Sequence, residues 1–146
     1  MAKITEHKGY QHDLPDHPGY HIPKPDPDKH PDPNIVTVQD GVPIKYADCE
    51  GIGVRIVHPT NPNAPSENFG LVLFYIPPHV ALAPGHHATE EAYVIIEGTG
   101  RMTFANDERD VKKGDFIHLP PWCTHGIENT GNETLVVMIC TSPPNP

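Results

Sequence analysis

The chain has 146 residues, 19 of them proline and 12 glycine, and a formal net charge of −9. That length suits one domain with a real core, and the proline and glycine content argues for turns and short strands rather than helices. The negative charge argues against a nucleic-acid or anionic-membrane partner.

No apolar run approaches transmembrane length, and the opening M-A-K-I-T-E-H-K-G has no signal-peptide core. Three cysteines, Cys49, Cys123 and Cys140, lack C-x-x-C spacing and fit reduced thiols. A cytoplasmic protein is the expectation.

Residues 1–33 repeat Pro, Asp and His with few apolar side chains. Proline lacks the donor that helix and sheet need, so an irregular arm is expected there. Tyr10, Leu14, Tyr20 and Ile22 are its apolar anchors. His7, His12, His17, His21 and His30 would be the ligands if the arm collected metal, but their spacing matches no fixed coordination pattern. A β-domain over 34–146 follows. Its expected strands begin with Ile35–Val38, then Val42–Tyr46 after an Asp40-Gly41 turn. In the third, Gly53–His58, alternation puts Val54, Ile56 and His58 on one face and Arg55 and Val57 on the other. Phe69–Ile76 is a long apolar strand, and Val80–Ala83 a short connector. Ala92–Ile96 is rich in β-branched and aromatic residues and reads as a strand before turn residues Gly98 and Gly100. Arg101–Ala105, a polar turn at Asn106–Arg109, Phe116–Leu119 and Leu135–Cys140 complete an all-β sandwich or barrel.

Two stretches carry the chemistry. The first, P-G-H-H-A-T-E-E-A-Y-V-I-I-E-G-T-G, offers His86, His87 and Glu91 just before a strand. The second, G-D-F-I-H-L-P-P-W-C-T-H-G-I-E-N, offers His125 at the end of a strand. Two imidazoles and a carboxylate on neighbouring strands make the face that holds Fe(II) with open positions. Parity directs His87 and Glu91 to one side and His86 to the other, though Gly85 permits a bulge that would swing His86 inward. The site is therefore His87, Glu91 and His125, with or without His86. Tyr93 and Ile95 share the parity of Glu91 and should line the pocket, Tyr93 as a hydrogen-bond donor or acid. Further wall candidates are Phe74, Tyr75, Phe104 and Trp122. Arg55 and Arg101 are the candidates to hold a substrate carboxylate. His118 is the best placed of the remaining imidazoles (with His58 and His79) for acid–base work or support of the ligands, and Cys123 is expected as a buried free thiol, with a place near the metal as the alternative.

At these residues the chain resembles the cupin superfamily. Gly114, Pro120, His125 and Asn129 fall on the family's second motif, with Trp122 where a Gly is usual. His87, Glu91 and Gly98 fit the first motif, while Gly85 stands where its first His belongs. The resemblance covers roughly 34–143. It implies a single-domain jelly-roll barrel and one divalent metal ion per chain, Fe(II) first, with Zn, Mn or Ni possible. It implies a metal-dependent enzyme, first a dioxygenase (an oxidoreductase) on a small oxygenated or aromatic substrate. A non-redox isomerase, decarboxylase, lyase or cyclase is the alternative, and a non-enzymatic ligand-binding module or a barrel keeping its ligands by descent only are the others. The Ala92–Ile96 strand is apolar on both faces, so one face must be covered by another chain or by the arm; a homodimer is the expectation.

Overall fold

The computed structural model describes residues 3–4 and 25–145. The chain divides into two units, Met1–Pro33 and Asn34–Pro146. In the first, residues 25–33 are exposed and irregular, and the Lys29 N–H closes a turn onto the Asp26 carbonyl at 2.9 Å. His30 is exposed among them. The expectations on His7, His12, His17, His21, Tyr10, Leu14, Tyr20 and Ile22 lie outside the described residues.

The second unit is all-β among its described residues, apart from one 3-10 turn, Val38–Asp40. Its strands are β1 (Val42–Lys45), β2 (Ile52–Val57), β3 (Gly70–Ile76), β4 (Ala81–Gly85), β5 (Glu90–Glu97), β6 (Thr99–Phe104), β7 (Glu108–Lys112), β8 (Phe116–Leu119), β9 (His125–Asn129) and β10 (Leu135–Ser142). A six-stranded sheet runs β1-β2-β3-β10-β5-β8 and a four-stranded sheet β4-β9-β6-β7. All the pairings are antiparallel. The expected strand at Ile35–Val38 is absent. The Thr37 backbone N–H donates to the Asp40 carboxylate at 2.8 Å and its hydroxyl to the same oxygen at 3.2 Å. This local capping outcompetes pairing. Val80–Ala83, expected as a connector, instead leads into β4, which pairs with β9.

Alternation places the core. Gly70, Val72, Phe74 and Ile76 of β3 face Leu135, Val137, Ile139 and Thr141 of β10, which in turn face Glu91, Tyr93 and Ile95 of β5. All are buried. Met102, Val111 and Ile127 close the core from the other sheet. Gly98, at φ +91°, carries the chain from β5 in one sheet to β6 in the other, a conformation glycine takes without strain. A register shift between Arg55 and Val57 breaks the expected alternation of β2. Arg55 pairs with the buried Val72 while Val54 pairs with Leu73 on the outer face, so the residues that were expected to share a face separate at the bulge.

Asn129, fully buried, joins the two sheets. Its amide donates to the carbonyls of Ile76 at 2.7 Å and Glu133 at 2.8 Å, and its Oδ1 accepts from the Gly131 N–H at 2.9 Å. Asn129→Ala strands these partners, and the expected loss is about 2–3 kcal/mol in urea denaturation with an unchanged slope.

Candidate metal centre

Both sheets converge at one end. Glu91 pairs across its sheet with Thr141 and Leu119, and His125 opens β9 opposite Phe104 and Gly85. His125 thus starts a strand rather than ending one. Between Leu82 and Gly85 the β4–β9 register shifts, so Ala83 and Pro84 face Gly126 alone. A Cβ on Gly126 would stand 2.7 Å from the Pro84 nitrogen, so only glycine admits this bulge, which fixes the chain beside His125. The loop after β4 then delivers His87.

His87, Glu91 and His125 each offer a ligand atom, all within 4.8 Å of one another. His87 Nε2 lies 3.3 Å from Glu91 Oε1 and His125 Nε2 3.2 Å from Glu91 Oε2. The far nitrogens are tied back: His87 Nδ1 to the Thr89 carbonyl at 3.0 Å, His125 Nδ1 to the Cys123 carbonyl at 2.8 Å. A carbonyl only accepts, so each Nδ1 carries the proton and each Nε2 presents a lone pair to the site. This is how metal-binding imidazoles are oriented. Glu91 is 4 % exposed, and its Oε2 is a buried acceptor without a hydrogen-bond partner. Three acceptors crowded in a buried space, one of them orphaned, fit a cation. Burial of the His125 imidazole lowers its pKa. The Glu91 hydrogen bond, the Cys123 carbonyl and the Glu91 charge together outweigh that and leave it raised. The raised imidazole and the buried, unpartnered carboxylate oxygen both mark the gap between them as a place that favours positive charge.

The group opens on a cavity of about 280 Å³ with apolar walls from Val72, Leu82 and Ile139. Tyr93 lines it as its parity required, its ring edge-on to His125 at a centroid distance of 5.7 Å. Burial, then the Glu91 charge, then Tyr46 push its hydroxyl well above the ordinary phenol pKa. Burial and Glu91, partly opposed by Arg55, raise Tyr46 to about 12. Both phenols therefore stay protonated and can donate hydrogen bonds into the cavity. The sequence reading missed Tyr46 and Asn145, which also line it. Tyr46 continues the Val42, Ile44 alternation and could have been found that way. Asn145 is set by a contact no pattern encodes, its N–H on the Thr141 hydroxyl at 3.2 Å.

His86 lines the cavity but stays outside the three-residue group, exposed, with its ring 6.1 Å from that of Trp122. His118 does not reach the site. It pairs with Ala92, whose side chain points away from Glu91, and its Nε2 meets Glu90 at 2.7 Å on the outer surface. A second cavity, of about 500 Å³, takes in His118, Phe104 and Cys123, and neither Phe104 nor Cys123 lines the first. Arg101 is engaged with Asp110 at 2.9 Å on an exposed surface. Arg55 reaches Thr60 at 3.5 Å and does not line the cavity. His58 is buried with Nδ1 on Thr60, and His79 is exposed. Phe74 lies in the core behind Tyr46, and Tyr75 on the outer face.

Comparison with known proteins agrees with this architecture. A family model described as a cupin domain matches residues 72–141. An uncharacterized protein of Methanocaldococcus jannaschii is 49 % identical over 59 residues, a stretch covering 40 % of this chain and 47 % of that protein, under half its length. A solved structure from Thermotoga maritima, described as a predicted oxalate decarboxylase, superposes with a TM-score of 0.63 at 19 % identity, covering 75 % of this chain and 98 % of that one. The polyketide cyclase RemF from Streptomyces resistomycificus gives 0.64 at 16 % identity, covering 74 % and 78 %. At such identities the likeness is one of fold.

Proposed function

Because the chain carries a cupin domain in a jelly-roll fold, we propose that it is a metal-dependent enzyme whose His87, Glu91 and His125 hold one divalent cation. The observation that carries this reading is the pair of imidazoles locked by carbonyls with both Nε2 atoms turned on a buried carboxylate. With His86 outside the group, the donor set is two imidazoles and one carboxylate, which suits Fe(II) and leaves positions open. The reaction we infer is dioxygenation of a small aromatic or oxygenated substrate bearing adjacent oxygens. The bound metal would supply Lewis acidity and, as iron, access to dioxygen. The chain's own residues do the rest. Val72, Leu82 and Ile139 exclude water, and Tyr93 donates a hydrogen bond to a substrate oxygen.

A second reading keeps the same site for non-redox chemistry with Zn, Mn or Ni. Tyr46 and Tyr93, which both line the cavity, suit it as hydrogen-bond donors to a substrate oxygen, a role that needs no oxidant. The similarity to a polyketide cyclase and a predicted oxalate decarboxylase supports it only as far as a shared fold can. Elemental analysis should find about one equivalent of metal per chain. Iron, with oxygen uptake in the presence of a catechol, supports the first reading; turnover unchanged without oxygen sinks it in favour of the second. A chain that binds no metal after reconstitution sinks both.

We further propose that the active form is a homodimer. Register aligns Val54, Leu73, Met138, Val94 and Phe116 in one row across β2, β3, β10, β5 and β8 on the outer face. Phe116 is 78 % exposed there. An uncharged apolar row across five strands complements itself, which suits the same face of a second copy. Light scattering should give twice the chain mass, and Met138→Lys half of that. A monomeric parent would overturn the assignment.

A further inference from the structure

Pro120, Pro121, Trp122 and Cys123 form a turn closed by the Cys123 N–H on the Pro120 carbonyl at 3.0 Å. Trp122 sits at its third position with φ +68°. Proline before it excludes the turns that need a positive φ at the second position, leaving type II, whose third position calls for glycine. A bulky residue in this region is an outlier. Burial does not explain the residue, since the indole is 64 % exposed. Nor does its one backbone bond, from the Trp122 N–H to the His87 carbonyl at 2.8 Å, because glycine would donate it equally well. Among the described residues the indole has an aromatic neighbour in His86. Its ring lies 6.1 Å from that of His86, tilted by 54°, and His86 lines the metal cavity.

Strained backbone kept beside a reactive centre points to a use at that centre. We propose that Trp122, beside the cavity-lining His86, forms with it a stacking platform that grips the flat face of an aromatic substrate and so sets specificity. The proposal rests on the metal reading above, because the substrate's oxygens must meet the cation while its ring meets the platform. The cavity of about 280 Å³ combines apolar walls from Val72, Leu82 and Ile139 with the hydroxyls of Tyr46 and Tyr93, which suits a single ring that bears oxygens.

The test uses metal-replete protein, its loading confirmed by elemental analysis, and two chelators that bind metals through paired oxygens. 4-Nitrocatechol has a ring and oxalate has none. Trp122→Gly should keep its metal, melt at a higher temperature than the parent, and bind oxalate as the parent does. It should bind 4-nitrocatechol roughly tenfold more weakly, the loss of one aromatic contact. Trp122→Phe should retain most of the nitrocatechol affinity without the gain in melting temperature. Equal nitrocatechol binding by the parent and Trp122→Gly would overturn the platform. So would equal loss for both chelators, or a lower melting temperature in Trp122→Gly, each of which makes the indole a structural element. A metal-loaded parent that binds oxalate but not nitrocatechol overturns the platform and spares the metal site; a parent without metal removes the site first and the platform with it.

Discussion

Glu91→Gln should leave a folded chain that no longer holds metal. The substitution keeps the shape of the side chain and removes its charge. Glu91 sits between both imidazoles, at 3.3 Å from His87 and 3.2 Å from His125, so a cation bound by the pair has no other buried carboxylate within the group. Losing a residue that merely orients a ligand costs 10- to 100-fold in metal affinity, so losing the ligand itself should cost at least about 100-fold. Stability should move the other way. In the metal-free protein the carboxylate has a buried, orphaned oxygen, and a neutral amide is easier to bury. Metal-free Glu91→Gln should therefore unfold at the parent's denaturant midpoint or above it. Adding metal at about 100 times its dissociation constant should stabilise the parent by about 2.7 kcal/mol and the variant hardly at all. Chelator competition and thermal melts with and without metal check both halves. A variant that keeps one equivalent at parental affinity would show that the carboxylate is not a ligand.

The parts of this site that could be read from the sequence are those governed by strand parity. Glu91, Tyr93 and Ile95 alternate into the interior because β5 is regular over those positions, whereas His125, expected on a strand neighbouring that of Glu91, reaches the site from β9 in the other sheet. Where the backbone departs from regular alternation, parity fails. The β2 bulge sets Arg55 opposite Val72 and Val57 opposite Leu71, so two residues expected on one face lie on different ones. Thr37 and Asp40 replace a strand with a capped turn, since a side-chain bond to the local backbone outweighs β-propensity at a segment with no partner strand among the described residues. His118 illustrates a different failure. Proximity in sequence to His125 suggested proximity in space, yet its position opposite Ala92 fixes its side chain on the outer face. Asn145 reaches the cavity through the contact of the chain's tail with Thr141, which no local pattern encodes. Trp122 was legible as a departure from the usual glycine, and the reason it matters emerged only with its φ of +68°.

Phe74→Ala should be the most destabilising single change in the barrel, and its effect should reach the site. Phe74 is fully buried at the centre of β3, in register with Val137 on one side and Gly53 on the other. A Cβ on Gly51 would meet its ring at 2.7 Å, so the loop before β2 is built around that ring. Truncating a buried phenylalanine costs about 3–5 kcal/mol, the lost transfer energy plus the cavity left behind. For a domain of this size that is a fall in melting temperature of roughly 10 °C or more, against a total stability of about 5–15 kcal/mol. Phe74→Leu, which keeps much of the volume, should cost far less. The ring of Tyr46 packs edge-on against Phe74 at 4.9 Å between centroids. Removing its support lets the Tyr46 hydroxyl leave the cavity wall, whereas the metal ligands, on β5, β9 and the loop before β5, keep their own anchors. Phe74→Ala should therefore bind metal with the parent's affinity at a temperature where it is folded, yet bind a chelating ligand more weakly. Parental ligand binding together with the expected loss of stability would confine Phe74 to the core and place Tyr46 outside the ligand's reach.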